Sequence, residues 1–380
     1  GNVAATVTGA VTIADIIAIR ALTATGVIKA TVEGSATDLA TLTSGPTDLL
    51  TLKVTSDSAT TTQLIAIDGK TSVVVNASAV KEISGDATAL KTIYTSKTIS
   101  GLGNEAVTIS LAADAADVNK ILKATTGVVT ASVTAAVAAD LVKDLTDAKA
   151  TDALKLTVLD QATATAASDL KALDAKTSVN VNASAVTEIT GNAADVKTVL
   201  AATTITKAGN VDVTVSGTVS AADANTIAKA TGGVVEATVA AGTADSLVKA
   251  LENVTTNTDK LALKVTGTAT AADLLALDGK TAGLVDATKV TTITGKASDV
   301  ADVLALNVAK MTNSGTMAVK ITDSLDATDL TDLNAIAAAT SGKITATLEG
   351  SATILANTLT GLKTAATDAI TIKVTDTTAA

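Results

Sequence analysis

Leu50-Thr51-Leu52-Lys53-Val54 alternates apolar and polar side chains, and it returns as Leu154-Lys-Leu-Thr-Val158, Leu261-Ala-Leu-Lys-Val265 and Ile370-Thr-Ile-Lys-Val374. A period of two is the mark of a strand with one face buried and one wetted; strands covered on both faces would read as unbroken apolar runs. The return distances are 104, 107 and 109 residues. A second marker, Thr71-Ser-Val-Val-Val-Asn-Ala-Ser-Ala-Val80 through Ile83 and Gly85, recurs at Thr177 to Gly191 and, degenerated, at Thr281 to Gly295. A third opens on glycine: Gly26-Val-Ile-Lys-Ala-Thr-Val32, then Gly127, Gly233 and Gly342 in the same context. All three agree on a period of about 105 residues, which makes the chain an internal repeat.

Each long period divides into four units of about 26 residues, each an alternating run followed by an Ala-rich segment, the unit length of a solenoid coil. Helix starts are announced in constant phase by Thr12…Asp15, Ser35…Asp38, Thr60…Gln63, Asp114…Asp117, Asn192…Asp195, Ser220…Asp223, Thr270…Asp273 and Asp326…Asp329. In each pair the first side chain can accept an orphan helix N–H, and the acid favours the positive helix end. Apolar spacing after the caps is helical, as in Val300, Val303, Leu304 and Leu247, Val248, Leu251. Gly26, Gly127 and Gly209-Asn210 are expected to end helices and return the chain to the next strand. Within the second marker the strand is expected to bend and continue as a second short one. The predicted fold class is therefore α/β, a single solenoid over residues 1–380. It has about 14 strand-helix coils, stacked as a parallel sheet with short Ala-rich helices on one face. Super-repeats are expected at approximately 1–102, 103–208, 209–314 and, partial, 315–380.

Composition narrows the chemistry. Among 380 residues there is no Cys, His, Trp or Phe, a single Tyr (Tyr94), a single Pro (Pro46) and a single Arg (Arg20). Disulfides, thiol nucleophiles, Cys/His zinc sites, imidazole catalysis and aromatic stacking all lack their reagents. At 47% hydrophobic and 17% charged residues the chain is expected to fold, yet no stretch of 18 apolar residues would span a membrane. A formal charge of −10 repels nucleic acid and anionic lipid, so neither is an expected partner, and no small-molecule ligand is expected.

Candidate sites are few. Asp68-Gly-Lys-Thr71, Asp174-Ala-Lys-Thr177 and Asp278-Gly-Lys-Thr281 suggest a phosphate loop, but the upstream glycine is missing and the motif follows a helix, so a repeated helix-ending turn is expected. Gly101-Leu-Gly-Asn104 is likewise expected to be a turn. Asp57, Asp160, Asp323 and Asp376 lie just beyond strands and are weak candidates for a ladder of calcium ligands, against a capping or solvated role. Gly267 replaces the acid in one period, and no calcium nonapeptide pattern is present. Asn76, Asn182 and Asp286 share one repeat position and are expected to satisfy backbone groups of the adjacent coil. The Thr-rich sheet face is expected to reflect strand propensity rather than contact with ice or mineral. Tyr94 and Arg20 mark no expected site. No nucleophile is paired with a base, so the chain is not expected to be an enzyme.

The phrases Asp278-Gly-Lys-Thr, Val181-Asn-Ala-Ser-Ala-Val through Gly191 and Ile99-Ser-Gly-Leu-Gly-Asn-Glu-Ala-Val107 resemble the Thr/Ala-rich repeats of large secreted cyanobacterial surface proteins. Such repeats often occur beside calcium-binding repeats of the RTX type. The resemblance spans essentially the whole chain and implies a secreted, cell-surface or matrix role, with no catalytic residue carried over. A chain opening on Gly1-Asn2 without Met is expected to be a processed product or a fragment. The end units, Val3-Ala-Ala-Thr-Val7 and Ile370-Thr-Ile-Lys-Val374, look like interior copies without polar caps, so self-association is expected, end to end, through coils near Val3 and Ile370. A structural filament, sheath or surface layer is the leading expectation; the alternative is a calcium-dependent adhesin or spacer arm.

Overall fold

The computed structural model describes residues 3–23, 25–45, 47–254 and 258–376. Gly1-Asn2, Pro46 and the last residue, Ala380, lie outside them. The protein is α/β, with parallel strands and short helices alternating along the chain in a pattern compatible with a repeat solenoid. It divides into two compact units, Gly1–Val186 with Ala202–Ala208, and Thr187–Ala201 with Gly209–Ala380.

In the first unit, five strands pair in parallel in the order Ala5–Val11, Ile28–Gly34, Leu49–Val54, Val75–Asn76 and Ile99–Ser100. A second parallel sheet runs Ser58–Thr60, Glu82–Gly85, Ala106–Ile109, Val129–Ser132 and Ala153–Lys155. The coils holding Leu49–Val54, Val75–Asn76 and Ile99–Ser100 therefore each contribute a strand to both sheets. In the second unit, Glu188–Gly191, Asp212–Val219, Val235–Val239, Lys260–Thr270, Val285–Gly295, Ala318–Leu325, Ile344–Gly350 and Ala369–Val374 form one parallel succession. Met311–Asn313 joins it alongside Val285–Gly295.

Alternation produces the expected one-sided burial. Leu50, Leu52 and Val54 are buried, while Thr51 is exposed and Lys53 reaches out to Glu33 on the neighbouring strand at 3.2 Å. The same cross-strand pair recurs as Lys373 and Glu349, at 2.9 Å. Helices close the other side of the core: Leu64 and Ile67 of the helix Thr61–Asp68 are buried, as are Leu274 and Leu277 of Ala271–Asp278. Each such side chain contributes about 1.5–3 kcal/mol relative to its exposed state, so the stack gains from every coil it adds.

The caps form with few exceptions. Thr12 and Thr60 make complete capping boxes with Asp15 and Gln63, and Ser35, Asn192, Ser220 and Thr270 accept the N–H three residues on. Asp114 makes no side-chain cap bond, and Asp326 caps a 3-10 turn, Ala327–Asp329, ahead of the helix Leu330–Ala339. Asp114 stands at the N-cap with extended backbone, so its carboxylate acts there only through the helix dipole. The second marker bends as expected, into Val75–Asn76 and Glu82–Gly85, and again into Val181–Ala183 and Glu188–Gly191. Its third copy is one strand, Val285–Gly295, with register shifts along its pairing.

The repeated glycines have a different physical reason from the one expected. Gly26, Gly127, Gly233 and Gly342 do not adopt the left-handed conformation of a helix-ending glycine. A Cβ built on any of them would overlap the backbone carbonyl of the preceding coil, at Val3, Glu105, Val211 and Met317 respectively. Closeness of stacking demands glycine here. Gly209, by contrast, has open space around it. Gly127→Ala is expected to destabilise the fold by about 1–3 kcal/mol, whereas Gly209→Ala stays within about 0.5 kcal/mol, as read from urea unfolding midpoints.

Candidate functional site

The polar groups with the most defined surroundings are buried between coils. Asp48, Asp152 and Asp259 are buried, and with Asp368 they occupy one repeat position, two residues before the alternating strand marker. Each reaches into the preceding coil with Oδ1 to accept the N–H of its strand: Ile28 at 2.9 Å, Val129 at 2.9 Å, Val235 at 2.8 Å and Ile344 at 2.8 Å. Oδ2 accepts the N–H three residues upstream in three of them, from Gly45, Lys149 and Ala365. These carboxylates staple coil to coil. Sequence reasoning passed over them, although Thr47-Asp48, Thr151-Asp152, Thr258-Asp259 and Thr367-Asp368 are legible as a fourth marker.

Asp48 alone also meets a cation, the guanidinium of Arg20. Arg20 further donates to the Gly26 carbonyl at 2.8 Å. Burial pushes the Asp48 carboxyl up, but Arg20 and the N–H groups of Ile28 and Gly45 outweigh it and hold the group below the ordinary value of 3.8. Asp259 goes the other way, because burial outweighs the single Val235 N–H and raises it. The unique tyrosine is engaged similarly. Tyr94 donates its hydroxyl to Glu105, whose Oε2 accepts from the N–H groups of Gly103 and Asn104 at 2.8 and 3.1 Å. Burial, and then the hydrogen bond to Glu105, push the phenol up. Arg20 and Tyr94 are thus structural partners of buried carboxylates, and Gly101-Leu-Gly-Asn104 is a turn, with Gly101 and Gly103 both at positive φ.

The Asp-Gly-Lys-Thr motif is a helix-ending turn, whose lysine reaches the preceding coil and whose threonine closes on the strand of its own coil. Asp68, Asp174 and Asp278 close helices, and Gly69 and Gly279 sit at the C-caps. Lys176 and Lys280 extend Nζ to the carbonyls of Leu145 and Leu251 at 2.7 and 2.8 Å, covering the end of the preceding helix. The threonine hydroxyls of Thr71, Thr177 and Thr281 donate to the strand carbonyls of Leu50, Leu154 and Leu261. In the second and third copies the lysine and threonine thus both satisfy backbone carbonyls.

Three of the weak calcium candidates have protein partners. Asp57 pairs with Lys81 at 3.0 Å. Asp323 accepts the N–H of Ala297 at 3.1 Å and Asp376 that of Ala352 at 2.8 Å, the first residues of helices in the preceding coil. Asp160 stands two residues past Val158, whereas Asp57 stands three past Val54. Among the described residues no group of three or more carboxylates is placed to hold a metal ion. Asn76, Asn182 and Asp286 do form turns, but each accepts the N–H two residues on in its own chain, at Ser78, Ser184 and Thr288, not from an adjacent coil. A short polar side chain closes that local ring more easily than it spans a coil gap. Asn119, Asn225 and Asn334 were missed altogether: each, half-buried on its helix, accepts an N–H from the loop of the following coil, at Asp147, Asn253 and Lys363.

The depressions are open surface features, such as one of about 280 Å³ lined by Thr37, Ser58, Thr60, Gln63, Glu82 and Ser84. No helix among the described residues is long and apolar enough to cross a membrane. Compared with protein-family models and with curated proteins, the chain gives no match.

Two measurements follow from the carboxylates. A lowered native value means that Asp48 contributes stability above pH 3.8 and loses it as pH falls through the native value. Asp48→Asn is therefore expected to be about 1–3 kcal/mol less stable at pH 7 and flatter below pH 4 than the parent, by urea titration at each pH. Carboxyl NMR should show Asp259 titrating above 3.8 and Asp48 below it. Thr165 is buried with an unpartnered hydroxyl where the aligned coils carry Ala59 and Ala269. Thr165→Val keeps the shape and is expected to raise stability by about 1 kcal/mol, read as a higher melting midpoint.

Proposed function

We propose that the chain is a structural extracellular protein, a subunit or segment of a filament, sheath or surface layer built by stacking of solenoid ends. It is read as a solenoid of about 14 coils of ~26 residues, with a super-period of ~105. One observation carries the proposal. Successive coils add strand to strand in parallel, and Gly127 and Gly342 are kept bare by the carbonyl of the coil before them, so each coil edge is a template for another of the same kind. Apolar side chains at a strand edge stabilise whatever coil settles on them, and an exposed edge of this kind favours association. A head-to-tail contact that does not close gives an open filament. The composition supports the same reading, since acid, base and nucleophile chemistry has only scattered carboxylates, lysines and hydroxyls to draw on.

A calcium-dependent adhesin or spacer arm is the rival reading. It needs carboxylates free for metal, and Asp57, Asp323 and Asp376 are already occupied by Lys81, Ala297 and Ala352. The double variant Ile372→Asp with Val374→Asp is expected to keep its circular dichroism but to form no filaments by negative-stain electron microscopy, while the parent does. Parent protein that stays monomeric at high concentration would count against the polymer, and a melting midpoint that drops on chelation would favour the rival.

A further inference from the structure

We infer that the length of the chain is set in whole periods of four coils, because successive coil-to-coil junctions carry different chemistry and are not interchangeable. This rests on the structural reading above, although its test does not require assembly. Take the coils opening at Gly103, Gly127, Asp152 and Ser178 as first, second, third and fourth, with Gly209, Gly233, Asp259 and Ala282 opening the next set.

The first-to-second junction brings the glycine of the second coil against a carbonyl of the first, Gly127 on Glu105 and Gly233 on Val211. The helix-ending threonine seals it: Thr125 and Thr231 donate to those same carbonyls and accept the N–H of Gly127 and Gly233. Asn119 and Asn225 then hold the loop that follows the second helix.

The second-to-third junction is sealed by acid and lysine rather than by a helix-ending threonine, although Thr266 also donates to the Gly242 carbonyl. Asp152 and Asp259 take the strand N–H of Val129 and Val235, and Lys176 and Lys280 of the third coil cover the helix end of the second. At the third-to-fourth junction threonine returns, with Thr177 and Thr281 bonded to Leu154 and Leu261 and accepting the N–H groups of Val179 and Gly283. The fourth-to-first junction is a salt bridge between helices, Lys91 with Asp117 at 2.6 Å, and again Lys197 with Asp223.

Each junction type recurs one period later with the same atoms in the same roles. Inserting or removing a full period therefore recreates only junctions that already exist. A half-period change places a second coil against a first, where the buried aspartate of the third coil is missing and the N–H groups it served lose their acceptor. The stack then carries unsatisfied buried donors. Length can change in steps of four coils, and smaller steps break the stapling.

The experiment compares two insertions in the full chain. One repeats residues 103–208 after Ala208; the other repeats residues 103–151 after Thr151. The full-period insertion is expected to melt in one transition within ~2 °C of the parent, with ellipticity per residue unchanged. The half-period insertion is expected to melt ~5 °C or more lower and to bind a hydrophobic dye at 25 °C. Equal melting of the two insertions would overturn the inference, because the junctions would then be interchangeable. A full-period insertion that loses ellipticity per residue would overturn it as well. Neither readout depends on filament formation, so a failure here leaves the end-stacking proposal to its own test.

Discussion

Everything in this fold depends on how closely one coil lies on the next. Parallel strands joined by backbone hydrogen bonds sit about 4.8 Å apart, and the turns that lead into them must fit that spacing. Gly127 and Gly342 show the limit, since even a methyl group there would occupy the same space as the carbonyl below. Helices pack with axes about 8–10 Å apart, so alanine at their contacts brings them as near to the sheet spacing as they can come and leaves little room for Phe or Trp. The shortage of large side chains is a consequence of spacing.

Close stacking also forces a complete accounting of backbone groups. Where a coil turns from helix to strand, its N–H and carbonyl groups cannot all join a ladder, and water is excluded by the coils on either side. Thr177 settles several of them with one hydroxyl, accepting from Leu154 and Val179 and donating to Leu154 and Asp152. Asp152 settles two with one carboxylate. A charge in that position is tolerable because it is fully hydrogen-bonded, and Arg20 shows what a true counter-ion adds in the one coil that has it.

Alternation made the strands legible, and the phase of Ser, Thr and Asp made the helix starts legible, because both are local rules written into neighbouring residues. The staples were not legible in the same way. Asp48 and Asp152 look like ordinary loop acids, and only the stacked partner twenty or so residues away reveals that they are buried. Asn119 looks like a solvated helix residue for the same reason. The glycines were located correctly but explained by chain conformation, when the cause was a neighbour's carbonyl. The acids after the strands were recognised as a set, yet the helix N–H groups that Asp323 and Asp376 accept belong to another coil and leave no trace in local spacing.

The two sheets of the first unit overlap, and the coils around Leu49–Val54, Val75–Asn76 and Ile99–Ser100 belong to both. In carpentry such an overlap is a lap joint. Between the first two of these coils, as between the second and third, a force pulling neighbours apart must break two ladders of hydrogen bonds instead of one. Load carried by the first sheet passes to the second across that overlap, so the point where one sheet ends is reinforced rather than weakened.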